Sequence, residues 1–117
     1  RAFKTQNKGG HVSYWGANGC KGAQLLPVKR LGTIMKGMEH DHIDLLKLDI
    51  EGFEYAAIED MLSSAIYPRF IAVEFHHGMY GLTDNQTKAT MSTLASEGYR
   101  LFHVSETGRE YSLAFDP

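Results

Sequence analysis

Cysteine is almost missing from this chain: Cys20 stands alone among 117 residues, so no disulfide can close within it and a zinc site built on thiolates is not expected. That scarcity fits a reducing compartment, with the cytoplasm favoured. An excess of one charge is missing too. Twelve basic and 14 acidic side chains leave a net charge of -2, spread along the chain, which argues against a nucleic-acid partner. Also missing is any apolar run of the roughly 18–20 residues that cross a bilayer, and Arg1-Ala2-Phe3-Lys4 has no signal-peptide hydrophobic region. No membrane segment is expected. Position 1 is not Met, so the chain reads as a fragment or processed product from which an address signal could have been removed. What is present is ordinary: 43% hydrophobic and 22% charged residues describe one globular unit, residues 1–117, without repeats or low-complexity tracts.

The pattern along the chain alternates helical and extended signals. Residues 1–26 are loop-rich, with Gly9, Gly10, Gly16, Gly19 and Gly22 around a short expected strand, His11 to Trp15. Val28, Leu31, Met35 and Met38 recur at spacings of three and four, which predicts a short amphipathic helix. Ile43 to Ile50 is nearly continuous in apolar residues and predicts a buried parallel strand. After Gly52, the stripe Phe53, Ala57, Ile58, Met61 and Leu62 predicts a helix, and Phe70 to His76 a second strand. Thr83 or Asp84 can cap a third helix running to Glu97, with Thr87, Met91, Leu94 and Ala95 on one face and Gly98 as its stop. Tyr99 to Val104 and Tyr111 to Phe115, joined by Ser105 to Glu110, predict a closing hairpin. The order implies an α/β fold: parallel strands with crossover helices and a terminal antiparallel hairpin.

Ligands of open parallel sheets bind beyond the carboxyl ends of the strands, and that rule selects two clusters. One is Asp49, Glu51, Gly52 and Glu54; the other is Glu74, His76 and His77. Such a group of acids and imidazoles can take a proton from a hydroxyl, bind sugar or ribose hydroxyls, or hold a divalent metal. Glu51 and Glu54 fall in the first turn of a helix, where negative charge complements the dipole without any catalytic part. Asp49, at the inner end of a buried strand, needs a function or a partner such as Lys47. His76 and His77 alternate across the strand, so at most one faces the crevice. No metal is assigned, because no close-spaced ligand motif stands out and His11, His40, His42 and His103 are scattered. Gly16-Ala17-Asn18-Gly19-Cys20-Lys21-Gly22 imitates a cofactor loop but does not open directly into a helix, and is read as a simple turn.

The block Asp44-Leu45-Leu46-Lys47-Leu48-Asp49-Ile50-Glu51-Gly52-Phe53-Glu54 resembles the FkbM-type methyltransferases and related methyltransferase-like proteins. Val28-Lys29-Arg30-Leu31 ahead of it and Ile71-Ala72-Val73-Glu74-Phe75-His76 after it extend the likeness, which runs from about Pro27 to Phe115. The resemblance implies the carboxy-terminal half of a Rossmann-like methyltransferase sheet. It implies S-adenosylmethionine as cofactor, whose main binding loop belongs to the family's first half, and a small-molecule or glycan hydroxyl as acceptor. Asp49 would handle the proton or position the acceptor, with Glu51, Glu74 and His76 in support and Glu54 and His77 contacting substrate. Cofactor-binding residues are not assigned. Two further readings use the same residues: a non-catalytic half-domain serving as a binding or assembly module, and a metal-dependent hydrolase.

Without the family's first strands, the edge at Ile43 to Ile50 would lie open to self-association. The chain alone is therefore expected to be inactive and to bind S-adenosylmethionine weakly; calorimetry showing micromolar affinity would overturn this.

Overall fold

The computed structural model of the protein describes residues 2–6, 11–15 and 25–117, with side chains from residue 27 onward. Strands β1 (Ala2–Gln6), β2 (His11–Trp15) and β3 (Leu25–Pro27) form an antiparallel sheet in the order β1-β2-β3. The strand expected at His11 to Trp15 is present, and it has a neighbour on each side, Val12 lying opposite both Thr5 and Leu26. The flanking strands escape a reading of the sequence because β3 is three residues long and β1 has weak alternation. The glycine-rich segment Gly16 to Gly22 lies outside the described residues.

The rest follows the expected order. Helix α1 (Leu31–Gly37) precedes β4 (Leu45–Leu48), α2 (Glu54–Ser63), β5 (Phe70–Glu74), α3 (Asp84–Ser96), β6 (Tyr99–Val104) and β7 (Glu110–Phe115). The second sheet has the order β4-β5-β7-β6. β4 and β5 are parallel, with Leu45 opposite Phe70 and Leu48 opposite Val73, and α2 is their crossover. β7 runs antiparallel to both β5 and β6. A mixed α/β fold with a parallel pair and a closing hairpin is therefore observed.

Period-two alternation makes β5 the spine of the core. Ile71, Val73 and Phe75 point to one side and are buried, while Phe70, Ala72 and Glu74 turn to the other. Ile58 and Met61 of α2, Leu94 of α3, and Leu48, Tyr99 and Leu113 from the neighbouring strands complete one apolar cluster with them. Phe75 stacks on Tyr55 at 5.1 Å between ring centroids and meets Tyr111 edge-on at 5.2 Å. α3 starts where expected, at Thr83, whose backbone N–H donates to the Gln86 side chain at 2.8 Å. It ends before Gly98, whose φ of +104° and close approach to Pro117 suit glycine alone.

Three expectations need correction. β4 is not buried on both faces: Leu45 is 62% exposed and only Leu48 is fully packed, because β4 is an edge strand of its sheet with helices over one face. The stripe assigned to α1 does not form a core face either. Val28 and Met38 are exposed, Leu31 alone of the four packs on the core, and Arg30 ties the helix to α2 through Asp60, accepting from Nε at 2.7 Å. On α3, Ala95 faces solvent although Thr87 and Leu94 are buried as expected. No helix among the described residues is long and apolar enough to cross a membrane.

The core placement predicts that Phe75→Ala costs about 3–5 kcal/mol and Met38→Ala less than about 0.5 kcal/mol. Urea denaturation checks this; equal losses would contradict the packing described.

Candidate functional site

Two adjacent parallel strands deliver their next residues to the same end of the sheet. Leu48 and Val73 are the last register partners of β4 and β5, so Asp49, just beyond β4, and Glu74, the last residue of β5, stand side by side. His76 follows two residues after Glu74. One carboxylate oxygen each from Asp49 and Glu74 and one imidazole nitrogen of His76 lie within 4.8 Å of one another. His76 Nε2 is 3.7 Å from Asp49 Oδ1 and 3.9 Å from Glu51 Oε1, too far for hydrogen bonds but close enough for charge to be felt. The Asp49 and Glu51 carboxylates are about half exposed, whereas the His76 side chain is 6% exposed. The acids form the mouth and the imidazole the floor.

Glu54 explains why the chain turns as it does between β4 and α2. Its side chain has no exposed surface, and its two oxygens accept the backbone N–H groups of Ile50 at 2.8 Å and Gly52 at 2.9 Å. A carboxylate in the first turn of α2 also complements the helix dipole. Those two N–H groups are thereby taken, which leaves this turn poorly suited to holding a phosphate. Behind the site, Glu54 Oε1 approaches His76 Nδ1 to 2.9 Å. The approach is not aligned for a hydrogen bond, and buried Nδ1 has no hydrogen-bond partner among the described residues.

A second loop closes over the first. Glu51 and Gly52 both take positive φ, 55° and 102°, and a Cβ on Gly52 would meet Leu82 at 3.1 Å and the Tyr80 ring at 3.2 Å. Tyr80, itself at φ 53°, donates its hydroxyl to Glu51, and its ring centroid lies 6.1 Å from that of His76. The loop is pinned by Gly78 N–H donating to Leu82 O at 3.0 Å and Leu82 N–H to Met79 O at 2.8 Å. Burial, then the neighbouring Asp49 carboxylate, push the Glu74 carboxyl above its ordinary range.

The structure therefore gathers Asp49, Glu51, Glu74 and His76, with Glu54 buried behind them. His77 goes elsewhere: its Nδ1 lies 3.0 Å from Thr87 Oγ1, which in turn is 2.8 Å from the Tyr55 hydroxyl. Only one of the two histidines faces the acids, as strand alternation requires. Lys47 takes part in no ion pair among the described residues, so the expected pairing with an acid is not found there. Tyr80 is the residue that reasoning from sequence passed over. Its signal was Gly78-Met79-Tyr80-Gly81, an aromatic bracketed by glycines directly after the histidine pair.

Comparison with known proteins places the chain in a family. The family model described as Methyltransferase FkbM domain matches residues 8–101, well over half of the chain, from before β2 into β6. No curated protein and no solved structure matches.

The contacts of Gly52 predict that Gly52→Ala, which combines a positive φ with crowding against Tyr80 and Leu82, costs about 1–3 kcal/mol. Thermal melts check the loss, which should exceed that of Gly37→Ala, where a Cβ meets nothing within 4 Å.

Proposed function

This chain belongs to the FkbM methyltransferase family, and we propose that its strand-end cluster forms the acceptor wall of an S-adenosylmethionine-dependent O-methyltransferase. The acceptor is a hydroxyl of a sugar or another small molecule, and the second sheet is the carboxy-terminal half of a Rossmann-like domain. The parallel β4–β5 pair with its crossover helix and the antiparallel hairpin at the other edge support that placement. The single cysteine supports a reducing, cytoplasmic setting. One observation carries the reading: Asp49 and Glu74 stand side by side at the ends of parallel strands, over a buried imidazole.

S-adenosylmethionine, when bound, supplies an electrophilic methyl group on a sulfonium cation. A wall of carboxylates fits a cationic group and a hydroxyl donor together, but the described residues hold no glycine loop that opens into a helix with free N–H groups, and none is assigned to the cofactor. The chain's own residues act on the acceptor. Asp49, half exposed, accepts a hydrogen bond from the hydroxyl and aims its oxygen. The proton that leaves passes to the Asp49–Glu74 pair, in which burial and mutual repulsion have raised the proton affinity of Glu74. His76 lends its polarity from the floor, and Glu51, steadied by Tyr80, flanks the mouth. Glu54 and His77 serve by position: Glu54 winds the turn and His77 anchors the start of α3.

Methyl transfer from labelled S-adenosylmethionine to a panel of hydroxyl-bearing acceptors, by a protein that carries this segment together with the family's cofactor-binding half, tests this. Asp49→Asn should lower turnover about 10²–10⁴-fold; undiminished turnover would remove Asp49 from its part, and no transfer to any hydroxyl would sink the reading.

A further inference from the structure

We propose that Asp49, Glu74 and His76 bind a divalent cation of the Mn²⁺ class, which rests on the acceptor-wall reading only for the use made of the ion. Three features of the cluster point to it. First, the acids lack a counter-charge: among the described residues, no Lys or Arg pairs with Asp49, Glu51 or Glu74, although both Glu74 and the turn are partly shielded from solvent. Carboxylates brought together in this way repel one another unless a cation or a shared proton joins them.

The second feature is His76. It is 5% exposed, and its Nε2 is directed at the acids from 3.7 and 3.9 Å. The separation from Asp49 is too long for a hydrogen bond and slightly wider than the roughly 3.0–3.5 Å between neighbouring ligand atoms around one ion with bonds of about 2.0–2.2 Å, so a small contraction around a cation would close it. An imidazole this buried ordinarily satisfies both nitrogens. Here neither is hydrogen-bonded among the described residues.

The third feature lies behind the ring. An imidazole that ligates a metal through Nε2 carries its proton on Nδ1 and donates it to a carboxylate or carbonyl. Glu54 Oε1 already sits 2.9 Å from Nδ1, and Glu54 is itself held by the Ile50 and Gly52 N–H groups. Ligation that turned the ring to face Nδ1–H to that oxygen would complete the pair. The unpartnered nitrogen and the misaligned close approach then have one explanation. The three ligands also sit close to the sheet: Asp49 follows β4 directly, Glu74 ends β5, and His76 lies two residues beyond it.

Two carboxylates and one imidazole make an oxygen-rich donor set with one nitrogen, suited to Mn²⁺, Fe²⁺ or Zn²⁺ more than to Ca²⁺, which takes six to eight oxygens. Three protein ligands leave positions for other oxygens, and the exposed side of Asp49 opens them to an acceptor hydroxyl. A cation there would orient that oxygen and ease loss of its proton.

The probe is MnCl₂ alone, titrated into the protein while the free-ion signal is followed by electron paramagnetic resonance. We expect free Mn²⁺ to be depleted to one ion per chain, with a saturable rise in melting temperature. Asp49→Asn and Glu74→Gln, close in shape to the native residues, should each abolish depletion while the melt without metal stays cooperative; Glu106→Gln, on the exposed hairpin turn, should leave it intact. No depletion by the native protein up to millimolar Mn²⁺, or undiminished depletion in Glu74→Gln, would overturn the site. Mn²⁺ binding, with no methyl transfer even by a protein that carries this segment together with the family's cofactor-binding half, would keep the cation site and remove the transferase reading. Methyl transfer that persists with no Mn²⁺ bound and full chelation would do the reverse.

Discussion

Glu54 carries a carboxylate into the interior at the first residue of a helix, and the turn that builds the site is wound around it. Its two oxygens satisfy the Ile50 and Gly52 N–H groups, bonds of a charged acceptor that are each worth about 1.5–3 kcal/mol. Without them, two donors in a partly buried turn would lack partners and the path from β4 into α2 would be undetermined. With them, Asp49 is held at the strand end, Glu51 is set in the left-handed region, and Gly52 is brought beneath Tyr80 and Leu82. The same carboxylate faces His76 Nδ1. One buried side chain thus sets both the backbone and the imidazole.

The rest of the site is a consequence of sheet geometry. Parallel pairing in the register Leu48 to Val73 puts two carboxylates next to each other whatever else the chain does, and the alternation of β5 buries Phe75 while aiming Glu74 away from the helices. Beyond Glu74 the chain bends, and the Gly78–Leu82 loop returns Tyr80 over the mouth. Holding Tyr80 and Glu51 at positive φ costs about 1–2 kcal/mol per residue, and the core formed by Ile58, Met61, Ile71 and Phe75 is what can bear it. Local strain at a packed turn of this kind is common where a chain positions chemistry.

The acids and the FkbM resemblance were legible because each is local. Asp49 to Glu54 is a contiguous block, and Thr83 with Gln86, Gly98 and the Ser105 to Glu110 turn are signals confined to a few residues. The β1 and β3 strands were not legible, since short strands take their identity from their neighbours. The burial of β4 was misread for a related reason. A continuous apolar run shows that a strand can be buried, while its neighbours decide whether both faces are covered.

Residue order alone settled the succession of helices and strands, the parallel pair with its crossover, and the gathering of Asp49, Glu51 and Glu74 at one end of the sheet. These follow from periodicity, caps and chain direction, which are properties of neighbours in the chain. Tertiary structure decided that His76 and not His77 meets the acids, that Glu54 lies behind the wall rather than in it, and that Tyr80 joins the site. Those outcomes depend on contacts between β4, the β5–α3 loop and α3, separated by tens of residues, and on which polar groups are left to satisfy one another once water is excluded.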